Sequence, residues 1–194
     1  ITPTVWEEAD GAGLGASINK ITGTSAGTTI EITPTDMVPA GLTAHVAVSK
    51  DSDSGQANDK AASGASNALG AGWDVTLEAT DELTGIAGLT LYGGISETDQ
   101  MTTDATHSGN LEERTAGFKY AVGSFTIGYQ WSEEDTGRAT GVTKYENDAY
   151  GITFSVNDDL SIGYNHYESN GSGNAADVEA TAIQLAYTMG GASF

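Results

Sequence analysis

The side chains best suited to chemistry in this sequence are carboxylates. Its 194 residues include 27 Asp and Glu against seven Lys and Arg, and no Cys. Asp51-Ser52-Asp53-Ser54-Gly55 resembles the start of a calcium loop, but it lacks the third acidic ligand and the closing Glu of that motif. A Ca²⁺ ion held between loops by Asp51 and Asp53 is one interpretation, and hydrated loop charge is the other. We expect no resident cofactor.

No arrangement typical of an enzyme or of a nucleic-acid-binding protein is present. His45, His107 and His166 lie in three unrelated contexts, and the sequence contains no GxSxG, HExxH or P-loop motif. Seven Lys and Arg cannot neutralise a phosphate backbone, so nucleic acid is not an expected partner. The absence of Cys excludes a disulfide scaffold and a thiolate zinc site. The sequence therefore predicts a non-enzymatic protein.

Other polar residues alternate with apolar ones, which predicts β-strands with two unlike faces. In residues 72–79, Asp74, Thr76 and Glu78 alternate with Trp73 and three aliphatic residues. Lys119 occupies the polar side of a similar segment at 115–122. The candidate residues of the polar face are His45, Asp74, Thr76, Glu78, Lys119, Gln130, Thr153, Asn165 and Gln184. Tyr92 is the large ring that the alternation also puts on this face.

The same alternation recurs along most of the chain and predicts an all-β, antiparallel protein of roughly ten strands. No segment keeps a helical period for three turns. The predicted strands are 14–20, 28–33, 42–49, 72–79, 87–96, 115–122, 125–131, the two arms of the hairpin 150–168, and 181–189. Both a protein core and a lipid bilayer would produce such an apolar face.

Short and long connections alternate strictly between these strands. Tight turns are predicted at Gly123-Ser124, Asn157-Asp158-Asp159 and Gly190-Gly191, with slightly longer ones at 34–41 and 80–86. The long polar segments are 51–71, 97–114, 133–148 and 168–179. All long loops then emerge at one end of an up-and-down meander, as in transmembrane barrels. Soluble sandwiches add long Greek-key crossings instead.

Large aromatic residues lie on the apolar faces towards the loop side of the strands. We expect Trp73, Trp131 and Tyr150 near the loop-side strand ends, and Tyr129 and Tyr164 one pair deeper, while the strand middles are aliphatic. An amphipathic ring prefers the headgroup level of a membrane, so these five residues predict an aromatic girdle. A transmembrane barrel is favoured over its rival, a secreted or surface β protein such as an adhesin, a lectin-like sandwich or a filament subunit. The need for detergent would separate the two.

With this pattern the sequence resembles Gram-negative general porins, and most of all the alphaproteobacterial group typified by Rhodobacter porins. The resemblance is strongest in FKYAVGSFTIGYQW, YGITFSVNDDLSIGYNHYE and ATAIQLAYTMGGASF, covers about residues 28–194, and is weaker over 1–27. It implies a 16-stranded barrel, a homotrimer in the bacterial outer membrane, and contacts with lipid and lipopolysaccharide. It also implies a water-filled channel for passive diffusion of ions and small hydrophilic solutes, without a cofactor.

Two departures from the family pattern indicate the later part of a porin. Roughly ten strands are too few for such a barrel, and no segment resembles the constriction loop that porins carry in their N-terminal half. We therefore expect residues 1–194 to form one β-barrel domain that is incomplete by itself, with 1–27 the least defined part. The acidic composition, with Asp74 and Glu78 opposed by Lys119, predicts a mild cation preference. A phage or another surface partner could use the long loops.

Overall fold

The described part of the chain folds as one antiparallel sheet. The computed structural model describes residues 29–50, 69–100, 108–173, 177–189 and 192–193. The elements are β1 (Thr29–Ile32), β2 (Leu42–Ser49), β3 (Leu69–Ala79), α1 (Asp81–Thr84), β4 (Leu89–Gln100), β5 (Leu111–Val122), β6 (Phe125–Asp135), β7 (Lys144–Asn157), β8 (Leu160–Gly171), β9 (Val178–Met189) and β10 (Ala192–Ser193). Each strand pairs with the next in sequence order, which confirms the predicted meander. In these ranges no helix is long and apolar enough to cross a membrane.

The tight turns form where the sequence predicts them. Val122 pairs with Phe125 across Gly123 and Ser124, and Gly123 has a φ of +59°, which glycine adopts without strain. In the β7–β8 turn the Asp159 N–H donates to Asn157 Oδ1 at 2.9 Å, a side-chain bond typical of such turns. These turns join neighbouring strands at what we call the short-connection end of the sheet. The predicted turn at 190–191 lies outside the described residues.

Two of the longer turns at the short-connection end pack against each other. The Thr80 N–H, just before α1, donates to the carbonyl oxygen of Gly41 at 2.8 Å. A Cβ atom at Gly41 would lie 2.4 Å from the backbone nitrogen of Leu83, so only glycine allows this approach. The connection between β1 and β2 is therefore held against α1, and α1 is a single turn within the predicted turn 80–86.

The strands run further towards the long connections than predicted, so all four predicted long loops are wrong in their bounds. Strand β3 begins at Leu69, β4 continues to Gln100, β6 continues to Asp135, and β7 begins at Lys144. Strand β5 likewise begins at Leu111, β8 ends at Gly171 and β9 begins at Val178. Both faces are mostly polar in the extensions of β4 to β8, so the alternation disappears from the sequence there although the backbone ladder continues. The predicted strand 14–20 and most of the loop 51–71 lie outside the described residues.

The two faces of the sheet have inverted burial. On the face that carries Asp74 and Gln130, which we call the polar face, these side chains are only 1% and 3% exposed. On the opposite, apolar face, Leu77 is 47% and Leu185 63% exposed. A soluble sheet protein buries its apolar face, so this arrangement is the reverse of a soluble one. The burial puts the polar face on the inner side of the sheet and the apolar face on the outside.

Candidate functional site

The nine polar residues singled out from the sequence all lie on the polar face. Pairing puts His45 opposite Thr76 and Lys119 opposite Gly128. It puts Gln130 opposite Gly117, Thr153 opposite Thr126, and Asn165 and Gln184 opposite Gly151 and Gly163. The Asn165 Nδ2 donates to Gln184 Oε1 at 3.1 Å. The nine residues are spread over seven strands, β2, β3 and β5 to β9, so they form an extended surface and not a compact pocket.

A row of carboxylates crosses the half of the polar face nearer the long connections. Asp74 pairs with Ser96, Ser96 with Glu113, and Glu113 with Glu134. All three carboxylates are buried, and the Ser96 hydroxyl donates to Glu113 Oε2 at 2.9 Å. We call Asp74, Glu113 and Glu134 the acid row. Sequence reasoning missed Glu113 and Glu134 because it assigned both to loops. Counting paired residues outward from the Gly123-Ser124 turn would have found them.

Neutral hydrogen-bonding groups continue the polar face beyond the acid row. The Tyr167 hydroxyl donates to Asn147 Oδ1 at 2.8 Å, and Asn147 Nδ2 donates to Ser132 Oγ at 3.2 Å. All three residues are buried, and Tyr167 is the largest of them. Because these side chains hold each other in place by hydrogen bonds, the network gives the polar face a fixed, hydrophilic surface. Of these three residues, the sequence analysis assigned Asn147 to a loop and Tyr167 to a strand.

Tyr92 lies on the polar face as predicted, with its ring over a glycine. Its hydroxyl donates to the carbonyl oxygen of Tyr129 at 3.3 Å. A Cβ atom at Gly117, the residue paired with Tyr92, would lie 2.2 Å from that hydroxyl and 2.5 Å from the Tyr129 oxygen. Gly117 therefore lets the ring lie against the wall, where it does not project from the polar face.

The predicted girdle residues lie on the apolar face, and three of them make polar contacts towards the long connections. The Trp131 Nε1–H donates to Glu146 Oε1 at 3.1 Å, and the Tyr129 hydroxyl donates to Asp148. Tyr150 stacks on the His166 ring with their centroids 4.8 Å apart. Such rings, apolar in body and polar at one edge, suit a boundary between hydrocarbon and water.

The girdle does not lie near the strand ends, which corrects the prediction. Trp131 is four residues from the end of β6, and Tyr150 is six residues from the start of β7. Charged residues occupy the outer face beyond these rings: Glu133 accepts from Lys144 Nζ at 2.8 Å and lies 3.7 Å from Arg114 Nε. The rings therefore mark the edge of the apolar band, and the strands continue past it with charged side chains.

The edge of the apolar band crosses the strands obliquely. On successive strands from β4 to β9 the last apolar residue of the outer face on the long-connection side is Ile95, Ala116, Trp131, Tyr150, Tyr164 and Ile183. Followed along the pairing register, this edge moves six residues over five strand-to-strand steps. At ~3.4 Å per residue and ~4.8 Å per step, the strands tilt by about 40° from the normal of a plane through that edge. Transmembrane barrels tilt their strands by ~35–45°.

The described residues hold no group of three or more His, Asp or Glu close enough to bind a metal ion. The oxygen-rich sequence Glu133-Glu134-Asp135 does not converge, because Glu133 and Asp135 lie on the outer face and Glu134 on the polar face. The predicted calcium ligands Asp51 and Asp53 lie outside the described residues.

Comparisons with known proteins agree with this geometry. A solved structure described as a porin refined at 1.8 Å resolution superposes with a TM-score of 0.54 at 14% sequence identity. The match covers 84% of this chain and 51% of that chain, so the chain spans about half the length of that porin. At this identity the likeness shows the fold, an antiparallel up-and-down β-barrel. No curated protein matches the sequence. The sequence model of Gram-negative porins matches residues 2–192, and the chain belongs to this family of the bacterial outer membrane.

Proposed function

We propose that this chain forms part of the wall of a water-filled channel through which ions and small hydrophilic solutes diffuse passively. The observation that carries the proposal is the inverted burial, with a polar inner face and an exposed apolar outer face. Strands can cross lipid only in a closed barrel, because every backbone group must be paired. The chain would be a single domain within a larger barrel, for which the 51% coverage of the porin match is the support. No chemical step is involved, so the protein would not be an enzyme.

The channel would have a mild preference for cations. The polar face would line the channel, and among its described residues the carboxylates outnumber Lys119: they are Glu31, Asp74, Glu78, Glu113 and Glu134. A fixed negative charge on a channel wall raises the local concentration of cations. Charges on the outer loops matter less, since salt at ~0.15 M screens them beyond ~8 Å. Permeation then depends on the size of the lumen and on the charges along its wall.

The reversal potential across a salt gradient in planar bilayers tests this function. We expect the native channel to favour K⁺ over Cl⁻, and the double variant Asp74→Asn, Glu78→Gln to lose part of that preference at low salt. Glu112→Gln is the matched control, because Glu112 is exposed on the outer face. An anion preference in the native channel, or an unchanged preference in the double variant, would contradict the electrostatic part of the proposal. A complete porin subunit that inserts but never conducts would contradict the channel itself.

We also propose that the protein assembles as a homotrimer through the outer face of β1 to β4. Aromatic residues of the apolar face are concentrated on β5 to β8, whereas β1, β2 and β4 present mainly aliphatic side chains such as Ile30, Ile32 and Leu91. An outer face in contact with lipid is normally bounded by aromatic girdles. Lipid and lipopolysaccharide would then contact β5 to β9, and a second copy would contact the aliphatic sector.

Cysteine cross-linking tests the proposed subunit contact, because the sequence contains no Cys. We expect a long bifunctional thiol reagent to link subunits of a single Leu77→Cys variant in membranes, because copies of one residue come into direct contact only on the symmetry axis. The matched variant Ile152→Cys, on the outer face of β7, should remain uncross-linked. Cross-linking of Ile152→Cys alone would move the subunit contact to the aromatic sector.

The rival function, a soluble surface or secreted β protein, is not favoured by a sheet whose apolar face is exposed.

A further inference from the structure

A histidine and a glutamate meet on the polar face near the short-connection end. The Nδ1 atom of His45 lies 2.9 Å from Oε1 of Glu31 and 3.0 Å from Oγ1 of Thr33. The side chains of His45 and Glu31 are 36% and 37% exposed, unlike the buried acid row. Water and protons therefore reach the pair. When His45 takes up a proton, this hydrogen bond becomes an ion pair.

The charged groups that share this part of the polar face with His45 lie on β1, β3 and β5. On β3, Thr76 pairs with His45, exposed Glu78 lies one pair nearer the short connections, and buried Asp74 lies one pair further away. Asp36, Asp81 and Glu82 lie on the connections and not on the strands. Of the other strands described, β5 contributes Lys119 to this half of the polar face.

The accessible charge of this half of the described wall is therefore small. Glu31 and Glu78 supply two negative charges and Lys119 one positive charge, which leaves one net negative charge while His45 is neutral. A protonated His45 cancels that charge. Histidine is the side chain that ordinarily changes its charge between about pH 5 and 8.

We propose that His45, paired with Glu31, makes the ion selectivity of the channel depend on pH. While His45 is neutral, the short-connection half of the described wall is negative and favours cations; once His45 is protonated, this half is neutral and favours them less. The inference rests on the proposed channel function. One unit charge acting through water over ~8 Å at low salt changes the local cation concentration about twofold, which sets the size of the effect.

Reversal potentials of the complete porin subunit in a low-salt KCl gradient, at about pH 8 and about pH 5.5, test the proposal. We expect the permeability ratio of K⁺ to Cl⁻ to fall about twofold in the native channel on acidification, and to stay constant in His45→Gln. His166→Gln is the matched control, because His166 stacks on Tyr150 on the outer face, and it should keep the native fall. Glu31→Gln should lower the ratio at the higher pH.

The outcomes separate this inference from the channel function. A conducting channel whose selectivity ignores pH would overturn the role of His45 and leave the channel intact. An equal fall in native and His45→Gln channels would also overturn it, since carboxylates would then carry the titration. If His45→Gln does not insert, His45→Asn gives the same comparison. A subunit that inserts and conducts at neither pH would contradict the channel function itself.

Discussion

Gly117 decides whether the ring of Tyr92 can lie flat against the polar face. The ring of Tyr92 is accommodated because Gly117 has no side chain, and the Tyr92 hydroxyl bonds to the Tyr129 backbone. If the polar face lines a channel, as proposed, a tyrosine there would otherwise extend into the lumen. The pair would then allow a large side chain in the wall without narrowing that lumen.

Gly117→Ala should therefore disturb both stability and conductance. The new Cβ would lie 2.2 Å from the Tyr92 hydroxyl, so the ring must leave the wall. We expect a loss of about 1–3 kcal/mol in the free energy of unfolding, the usual result of overpacking, and a smaller single-channel conductance. Denaturant titration in detergent and single-channel recording measure the two effects. Adding Tyr92→Ala should restore the conductance, and a native conductance in Gly117→Ala would refute the argument.

At the scale of the strand, the two faces differ in what they tolerate. Ile152 and Thr153 are neighbours on β7, with Ile152 paired to Ile127 on the apolar face and Thr153 paired to Thr126 on the polar face. Adjacent residues of one strand thus face lipid and water, if the channel function holds. Substitutions at Ile152 and Thr153 therefore form a matched pair, because the two residues lie at nearly the same position along the strand but on opposite faces.

Ile152→Arg should prevent or weaken insertion, whereas Thr153→Arg should fold like the native chain. A charged side chain on the lipid face near the bilayer midplane costs about 2–4 kcal/mol, and the same side chain in the lumen remains hydrated. The folded fraction in lipid vesicles, read from the heat-dependent mobility on gels, distinguishes the two variants. Equal folding of both would contradict the assignment of faces.

At the scale of the whole molecule, the meander separates the connections into two groups. The strand ends joined by residues 136–143 and 172–177 lie at one end of the sheet, and the turns at 123–124 and 158–159 lie at the other. In bacterial barrels the longer connections face the outside and the short turns face the periplasm. The oblique edge of the apolar band also gives the angle at which the strands of such a sheet would cross the membrane.

Proteolysis of intact cells should follow this division. Trypsin should cleave after Arg138, in the connection between β6 and β7, and Arg138→Gln should abolish that cut. A protease that cleaves before Asp should reach Asp158 in broken cells only. Cleavage before Asp158 in intact cells would reverse the orientation.

The sequence by itself determined the strand order, the positions of the tight turns and the identity of the two faces. These features depend on local signals: a period of two between Asp74 and Glu78, and turn residues such as Gly123 and Ser124. The two faces of a strand differ in polarity wherever one face contacts water and the other contacts an apolar medium. The family resemblance rests on the same signals.

Only the tertiary structure decided how far the strands run and which residues meet across them. Beyond the apolar band both faces are polar, so the alternation that reveals a strand vanishes at Glu113 and Glu134 while backbone pairing continues. The acid row, the ring of Tyr92 over Gly117 and the contact of His45 with Glu31 each join different strands. Within one hairpin the turn fixes the register, as Gly123 and Ser124 do for β5 and β6, but contacts that span several strands depend on pairing along the whole sheet.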